Sequence, residues 1–440
     1  MFDVAVVKYE EPLKSLRKAI KLCDGFAGLK NDTRVYIKPN LVLWHEGIDF
    51  PKYGMLTTAR MIEDCVVLLK EHGVEEITII EGAVEIEKNG PSLVMQAAAG
   101  MGFDKLEKRY GVKVVDVLRA PSTRVTVDDV TLSVNEEILS ADFIVNLPVF
   151  KTHSQAKISL GIKNLKGLIN IKSREECHNA DRQRDLDYYM AKFIDMVSPS
   201  LTIIDGIYSL ERGPFYNGKA RRSDVIIASR DLISADLVGS TMLGIAPDSV
   251  PYIRETATRR GRSCDLDKIN LLGGIDIHNH LKPHKWKFPY SESKPLPAAF
   301  ERAGIEGVRY PDGDKSICTY CSIFINYVIM GLLMAKNPDK KFDDLEFLYG
   351  KIQEPEGGHK HTLLVGQCQV KKNAANPKIN HCVKIRGCPP RKDDFLKAYA
   401  EVGIELPDGF LEWMERSPEL LHMKRYLDKP DFDPAFFAID

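Results

Sequence analysis

The sequence predicts an α/β protein whose main sheet is mostly parallel and covered by helices. Two observations lead to this prediction. Over the first 250 of 440 residues, short runs rich in Val, Ile and Leu alternate with segments of helical periodicity. Most of these runs are apolar throughout, without the in–out alternation of a half-exposed strand, which is typical of parallel strands buried on both faces. Buried strands separated by helices define the α/β class.

The predicted elements follow one another along the chain. Strands are predicted over residues 3–7, 34–40, 76–82, 112–117, 142–148, 201–206 and 224–229. Helices are predicted over residues 12–23, 57–72, 91–110 and 232–243. The helix at 57–72 is amphipathic and ends before Gly73, because glycine is a common helix stop. Most of the strands are short apolar runs bounded by polar or turn-forming residues, as buried strands usually are.

Polar side chains gather where the predicted strands end. Lys38 and Asn40 close the second strand, and Glu81 closes the third. Asn146 and Asp205 occupy the same place in two later strands. Ligands of open parallel sheets bind beyond the carboxyl ends of the strands. This arrangement predicts a substrate-binding crevice that includes Lys38, Asn40 and Asp205.

The chain is predicted to divide into a main domain, a connector and a smaller cysteine-rich segment. Its length exceeds the size at which a single hydrophobic core usually stops growing. We assign residues 1–250 to the α/β domain and residues 251–314, rich in arginine, lysine and proline, to the connector. Residues 315–440 then form the cysteine-rich segment.

Composition and charge narrow the class of partner. The apolar content of 44% and the charged content of 28% are those of an ordinary globular protein. The net charge of −1 produces no global field, so neither nucleic acid nor a membrane is an expected partner. The first residues show no basic, apolar leader, and we therefore expect a cytoplasmic protein. Nothing in the sequence fixes the oligomeric state, and a homo-oligomer stays open.

Five of the nine cysteines fall in the last third of the chain: Cys318, Cys321, Cys368, Cys382 and Cys388. In a reducing cytosol, clustered cysteines indicate a metal or redox site rather than disulfides. The first two form a Cys-Thr-Tyr-Cys pair before a helix-compatible run, which lets both thiolates face one metal. The last stands in Gly-Cys-Pro-Pro, and a cysteine followed by proline is typical of iron–sulfur sites.

We predict a [4Fe–4S] cluster on four of these thiols, Cys318, Cys321, Cys368 and Cys388. Zinc is the alternative, but four-cysteine zinc sites usually consist of two close pairs, and only one such pair is present. Cys382 is a substitute ligand.

Two histidines, His359 and His381, are outside candidates for the same metal. They lie in the cysteine-rich segment, and imidazole is a common metal ligand.

A basic loop follows the strand at 142–148. It carries Lys151, His153, Lys163 and Asn164 among small and apolar residues. A lysine and a histidine two positions apart can serve one anionic ligand, the ammonium as a point charge and the imidazole as a proton carrier. We therefore predict that Lys151 and His153 are catalytic and that Lys163 and Asn164 contact the substrate. The alternative is a solvated loop, as most lysine runs are.

An acidic candidate lies farther along the chain. Glu211 precedes Gly213 and Pro214, a turn that can hold a carboxylate at the rim of a crevice. We include Glu211 among the predicted substrate-binding residues, although an ordinary loop explains it equally well.

These motifs together resemble the family called "domain of unknown function 362". The resemblance rests on Lys38-Pro-Asn40, Asn146-Leu-Pro148, Lys151-Thr-His153, Gly161-Ile-Lys-Asn-Leu-Lys-Gly167, Asp205-Gly206 and Glu211-Arg-Gly-Pro214. It covers roughly residues 1–250. Members of the family are often joined to iron–sulfur segments, so the resemblance implies a redox or iron–sulfur role. The glutamate–glycine pair usual in the family is Glu211-Arg212 in this chain, which weakens that loop as a site.

The family's domain is also distantly similar to the amino-terminal part of nickel-pincer lactate racemases. If that similarity extended to function, it would imply that Lys151 and His153 contact the substrate or cofactor.

Three functions follow from the sequence. The first is an iron–sulfur enzyme, an oxidoreductase or a cluster-dependent lyase or isomerase, that acts on a small anionic substrate. The second is a non-catalytic electron-transfer or accessory protein that serves a redox partner protein. The third is a non-redox isomerase or dehydratase-like enzyme with a structural metal.

Overall fold

The computed structural model describes residues 1–439. The strands of the main sheet and its hairpin are β1 (Phe2–Lys8), β2 (Val35–Lys38), β3 (Ile77–Glu81), β4 (Lys113–Asp116), β5 (Ser122–Val127), β6 (Val130–Asn135), β7 (Phe143–Asn146), β8 (Val149–His153), β9 (Lys157–Ser159), β10 (Leu201–Glu211), β11 (Lys219–Ser229) and β12 (Ile269–Leu272). Four more strands follow: β13 (Glu306–Arg309), β14 (Lys341–Leu348), β15 (His361–Val365) and β16 (His381–Ile385).

The helices surround both groups of strands. Those of the first part of the chain are α1 (Lys14–Leu22), α2 (Ala59–Glu71), α3 (Leu93–Met101), α4 (Phe103–Tyr110), α5 (Glu136–Leu139), α6 (Gly161–Asn164), α7 (Ile171–Glu176), α8 (Leu186–Met190), α9 (Phe193–Met196), α10 (Leu232–Met242) and α11 (Pro251–Arg259). The later ones are α12 (Ala298–Arg302), α13 (Thr319–Met334), α14 (Gln367–Asn373), α15 (Lys392–Glu401) and α16 (Phe410–Ser417).

The main sheet has the strand order β12-β1-β11-β10-β7-β2-β3-β4, with β8 and β9 attached beside β10. Neighbours from β10 through β7, β2 and β3 to β4 are parallel. The pairs β1–β11 and β10–β11 are antiparallel. The predicted class, α/β with a mostly parallel sheet covered by helices, is confirmed. Two separate hydrophobic cores, one on each face of the sheet, explain the continuous apolar runs.

Two local predictions for the main domain differ from the structure. The single helix predicted over 91–110 is two helices, because Gly102 adopts a left-handed conformation that ends α3 and starts α4 at a new angle. The hairpin of β5 and β6 was not predicted. β5 alternates intermediate and exposed residues and lies outside the main sheet, so it lacks the apolar run that marked the other strands.

A second, all-parallel sheet has the order β13-β14-β15-β16. Its core packs α13 and α15 against the strands, with Phe324, Phe347 and Tyr399 fully or almost fully buried. β13 precedes residue 315, and the last residues return to the first core, where Phe437 contacts Tyr208. The predicted boundaries of the connector and the cysteine-rich segment stay predictions.

The two sheets meet through hydrogen bonds near the carboxyl ends of their strands. The Gln155 side-chain amide donates to the backbone carbonyls of Asp314 at 2.8 Å and Ile317 at 2.9 Å. The Lys351 ammonium donates to the Glu175 carbonyl at 2.9 Å. These contacts bring the basic loop and the start of α13 together.

Candidate functional site

A cavity of about 110 Å³ lies where the two parts of the protein meet. We call it the anion cavity. Its polar lining residues are Lys38, Asn40, Glu81, Lys151, His153, Gln155, Ser159, Lys163, Asn164, Lys166, Arg174, His178, Thr319 and Ser322. Six of them lie near the carboxyl ends of β2, β3 and β8, so the cavity lies at the carboxyl edge of the main sheet, as expected for a parallel α/β fold.

A buried ion pair forms the floor of the anion cavity. The Lys38 ammonium donates to the Glu81 carboxylate at 2.8 Å and to the Asn164 side-chain oxygen at 3.1 Å. Glu81 also accepts the backbone N–H groups of Leu41 at 2.9 Å and Gly82 at 2.7 Å. Burial lowers the pKa of Lys38, while the negative charge of Glu81 opposes that shift. Glu81 is therefore paired with Lys38, and among the described residues the lining of the anion cavity contains no other carboxylate that could pair with its remaining basic side chains.

The structure explains why the motif of the basic loop ends in a glycine, Gly167. A side-chain carbon at this position would lie 2.2 Å from the Glu81 carboxylate and 2.6 Å from the Lys38 ammonium. Only a residue without a side chain lets the backbone pass this close to the buried pair.

Lys151 is buried beside the same pair. Its ammonium donates to the Asn40 side-chain oxygen at 2.6 Å and to the Met55 carbonyl at 2.8 Å. Burial, with a contribution from the Lys38 charge, lowers the pKa of Lys151 to about 7. A lysine with this pKa exchanges a proton near neutral pH, as a general acid or base requires.

Three more basic side chains line the anion cavity: Lys163, Lys166 and Arg174. The Arg174 guanidinium donates to the backbone carbonyls of Ala83 and Gly167, and the Lys166 ammonium contacts the His178 ring at 2.7 Å. Burial lowers the pKa of Lys166 to about 8. Within residues 1–439, the Lys163 ammonium forms no hydrogen bond or ion pair, and burial lowers its pKa well below the usual value. An anion in the cavity would supply the missing counter-charge.

His153 presents a proton to the cavity. Its Nδ1 accepts the backbone N–H of Gln155 at 3.1 Å and, more weakly, that of Ala156 at 3.4 Å. The neutral ring therefore carries its proton on Nε2. Burial and the nearby lysines lower the pKa of His153 well below its usual value, so the ring stays neutral at physiological pH. His153 is thus a neutral hydrogen-bond donor at the wall of the cavity.

Asp236 holds the helix that carries Lys163. From the middle of α10, its carboxyl group accepts the backbone N–H groups of Gly161 at 2.7 Å and Ile162 at 2.9 Å. Burial raises the pKa of Asp236 to about 7. Helical periodicity does not reveal this contact, because the loop lies 75 positions away in the sequence.

Cys318 and Cys321 occupy the amino-terminal turn of α13. Cys318 is the residue that caps the helix, and its thiol interacts with the Cys321 thiol and with the backbone N–H groups of Cys321 and Tyr320. The influence of the Cys321 thiol, followed by that of the nearby backbone N–H groups, lowers the pKa of Cys318 to about 6. The Cys321 thiol lies only 2.9 Å from where a side chain on Gly366 would begin. Glycine at that turn leaves room for Cys321.

Cys368 lies in the first turn of α14, directly after β15, and Cys388 lies in the loop that follows β16. Burial raises the pKa of Cys388 to about 12, with further contributions from the charges of Glu175, Cys318 and Cys368. The charges of Cys368 and Cys388 likewise raise the pKa of Cys321. All four predicted cysteine ligands therefore lie within electrostatic range of one another at the carboxyl edge of the second sheet.

The two predicted cofactors, a [4Fe–4S] cluster and zinc, differ in the ligand spacing that they require. A tetrahedral zinc site, with Zn–S bonds of about 2.3 Å, brings its sulfurs to about 3.8 Å from one another. In the described part of the chain, only Glu346, Glu356 and His359 bring three ligand atoms within 4.8 Å of one another. No three of the cysteine thiols come this close in that part of the chain, and the choice between a [4Fe–4S] cluster and zinc stays a prediction.

Two of the substitute candidates, Cys382 and His381, lie at the amino end of β16, whereas Cys388 follows its carboxyl end. His381 and Cys382 are the first two residues of β16, and His381 pairs with His361 of β15. The charged groups that influence the Cys382 thiol are Lys384, Glu401 and Arg386, with no cysteine among them.

His359 belongs to a different group. It lies beside Glu356, and Arg309 already pairs with the carboxylates of Glu356 and Glu346. This arginine supplies the positive charge that a metal ion would bring.

The anion cavity and the four-cysteine site share one helical turn. Thr319 and Ser322, which line the cavity, directly follow Cys318 and Cys321 in sequence. The charge of Cys318 also acts on Lys166 inside the cavity. A ligand in the cavity would therefore lie against the helix that carries two of the thiols.

Two predicted substrate-binding residues lie outside the cavity. The Asp205 carboxylate accepts the backbone N–H of Thr58 at 2.7 Å and its hydroxyl at 2.8 Å, and so holds the start of α2. Glu211 pairs with Arg221. Both carboxylates are buried, and neither lines the anion cavity.

Eight of the polar cavity residues were not predicted as site residues: Glu81, Gln155, Ser159, Lys166, Arg174, His178, Thr319 and Ser322. Arg174 and His178 come from the segment after the basic loop, which folds back over β3. Their only sequence signal is their proximity to the lysine-rich motif.

Anion affinity should depend on pH because the lysines of the cavity titrate near neutrality. Lys151 and Lys166, with pKa values of about 7 and about 8, carry full charge below pH 6 and lose it as the pH rises through these values. Sulfate remains a dianion over this range. We expect its affinity to fall about tenfold or more between pH 6 and pH 9, measured by isothermal titration calorimetry. An affinity that stays constant would show that the lysines do not bind the anion.

Comparison with known proteins agrees with the predicted resemblance. The family model of the domain of unknown function (DUF362) matches residues 35–241. A thylakoid-associated protein of Synechocystis sp. is 26% identical over 288 residues, which are 63% of this chain and 83% of that protein. The resemblance to the DUF362 family is confirmed.

One solved structure is also similar in part. It is the lactate racemase apoprotein from Thermoanaerobacterium thermosaccharolyticum, with a TM-score of 0.35 and 14% identity. The match covers 54% of this chain and 56% of that one. Separately, no helix within residues 1–439 is long and apolar enough to cross a membrane.

Proposed function

We propose that this protein, whose residues 35–241 match the DUF362 family, is a cytoplasmic iron–sulfur enzyme that acts on a small organic anion. The observation that carries the proposal is the shared turn of α13. Cys318 and Cys321 lie on this turn, and Thr319 and Ser322 of the same turn line a cavity rich in buried cations. An anion held there would sit next to the cluster, as electron transfer to a substrate requires.

Four thiolates, those of Cys318, Cys321, Cys368 and Cys388, would hold a [4Fe–4S] cluster. When bound, such a cluster supplies or accepts one electron at a time. The contribution of the chain is to bind the anion, to orient it and to move protons.

Binding and orientation fall to the cations of the cavity. The Lys163 ammonium, which lacks a partner among the described residues, would pair with a carboxylate of the substrate. Lys166 and Arg174 add positive charge from the wall beside the thiols. The buried setting makes these charges stronger than they would be in water, since the local dielectric constant is low.

Proton transfer falls to Lys151 and His153, the two residues predicted from the sequence to be catalytic. With a pKa of about 7, Lys151 can give or take a proton at its Nζ atom near neutral pH. His153 carries its proton at Nε2 and can donate a hydrogen bond to developing negative charge on the substrate.

A redox partner protein would dock near Cys388, the exposed cysteine of the four. Residues 357–392 contain eight lysines and arginines and no aspartate or glutamate, and the segment includes both Cys368 and Cys388. Basic surface around an exposed cluster edge fits an acidic electron-transfer protein, because complementary charge accelerates association.

The same exposed edge favours a second candidate function. A non-catalytic electron carrier also needs an accessible cluster and a charged docking surface. It does not need a cavity lined by buried cations, so the two functions differ in their response to small anions.

A redox titration of the reconstituted protein tests the proposed function. We expect malonate to lower the midpoint potential of the cluster by tens of millivolts, because a nearby negative charge opposes the uptake of an electron. Lys163→Gln should abolish this response. Lys172→Gln, on the exposed side of α7, should retain it and serves as the matched control. A potential that ignores malonate but responds to an acidic protein would favour the carrier.

A further inference from the structure

A second, larger opening adjoins the anion cavity. We call it the apolar cleft; its volume is about 370 Å³. The two share Gln155, Pro214, Phe215 and Ser322 as wall residues. Because these four residues line both spaces, the cleft and the anion cavity lie side by side.

The wall of the cleft is mostly apolar. It includes Phe215, Phe288, Tyr290, Ile317, Ile325 and Ile329. Phe288 is 38% exposed, and Phe215 is half-buried. Exposed aromatic and aliphatic surface in a concave site favours binding of an apolar ligand group.

Two polar groups in the cleft lack partners. Tyr310 is 1% exposed, and its hydroxyl, although near Tyr349, has no hydrogen-bond partner of ordinary geometry in the described residues. The buried Nε of Arg212 is likewise unpaired within residues 1–439. Buried donors of this kind are costly unless a ligand or water satisfies them.

We propose that the substrate is a carboxylate with an aromatic or branched apolar body. Its carboxylate binds in the anion cavity, and its body fills the apolar cleft. This inference rests on the proposed function, because it assigns the anion cavity to the reacting end of the substrate. Tyr310 and Arg212 then hydrogen-bond a polar group on the body.

The sizes of the two spaces support this division. A cavity of about 110 Å³ holds a carboxylate and its immediate neighbours but not a whole metabolite of ten or more heavy atoms. The cleft falls within the range of about 300–1,000 Å³ that is usual for organic ligands.

Malonate and benzylmalonate test the inference as a matched pair. They carry the same dicarboxylate and differ by one benzyl group. Calorimetry on the cluster-loaded protein should show that benzylmalonate binds at least about tenfold more tightly, because the phenyl ring loses contact with water in the cleft. Lys163→Gln should weaken both probes, since both place a carboxylate in the anion cavity.

A substitution inside the cleft separates the two spaces. Ala299→Phe adds a ring to the wall of the cleft and should remove the advantage of benzylmalonate while malonate still binds. Ala303→Phe, one turn farther along the chain at an exposed position, should leave the advantage intact.

The outcomes distinguish the inference from the function on which it rests. Equal affinities of the native protein for the two probes would overturn the inference alone, provided that malonate binds and shifts the cluster potential. Failure of both probes to bind would overturn the proposed function and the inference together.

Discussion

Replacing Cys388 with serine is expected to abolish the visible absorbance of the iron–sulfur cluster. Cys388 follows the second sheet at its carboxyl edge, within electrostatic range of Cys318 and Cys368. It is also the exposed thiol among the four, so its loss would open the cluster to solvent. A cluster with three remaining thiolates and an open edge should lose most of its iron during aerobic purification. Absorbance spectra and iron analysis of the variant measure this loss.

Cys382→Ser is the matched control for this prediction. Cys382 lies near the amino end of β16, away from the loop that carries Cys388, and its charged neighbours are Lys384, Glu401 and Arg386. The variant should keep the full spectrum. Loss of the cluster in Cys382→Ser, with retention in Cys388→Ser, would show that the ligands are wrongly assigned.

The second large effect is expected at the floor of the anion cavity. Glu81→Gln would leave the Lys38 ammonium buried without its counter-charge. Removing one partner of a buried ion pair usually costs about 3–5 kcal/mol of stability, because the remaining charge stays out of water. We therefore expect a clear drop in the midpoint of urea unfolding, followed by circular dichroism.

Two comparisons establish that the buried charge causes the drop. Asp104→Asn removes the partner of Lys108 in an exposed pair and should leave the midpoint unchanged. The double variant Glu81→Gln, Lys38→Met removes both charges and should recover part of the loss. If the single variant Glu81→Gln unfolds at the native midpoint, the pair does not carry the stability assigned to it.

The sequence predicted those features that depend on local pattern. Lys38 and Glu81 stand at the ends of apolar strands, and parallel strands bring such ends to one edge of the sheet. The basic loop carries its lysines among apolar residues, and two of these, Ile162 and Leu165, are buried. The α/β class followed from the same runs.

Features that depend on tertiary contacts were not predictable. Asp205 also ends an apolar run, yet its carboxylate turns toward Thr58 and holds a helix. The position of a residue at the end of a strand does not predict which neighbouring segment its side chain will contact. Arg174 is held at the cavity by a hydrogen bond to the Ala83 carbonyl, which follows β3 and lies 91 positions away in sequence. The apolar cleft forms where the two sheets pack together, and the hydrophobic pattern of either sheet alone does not predict that contact.

Anaerobic analysis of metal and acid-labile sulfide tests the central claim most directly. The protein purified without oxygen should contain about four iron atoms and about four sulfides per chain, with the broad visible absorbance of a [4Fe–4S] cluster. These values should disappear in Cys388→Ser and persist in Cys382→Ser. One zinc ion per chain without sulfide would contradict the account. The four cysteines would then form a structural zinc site, which cannot transfer an electron to a substrate in the anion cavity.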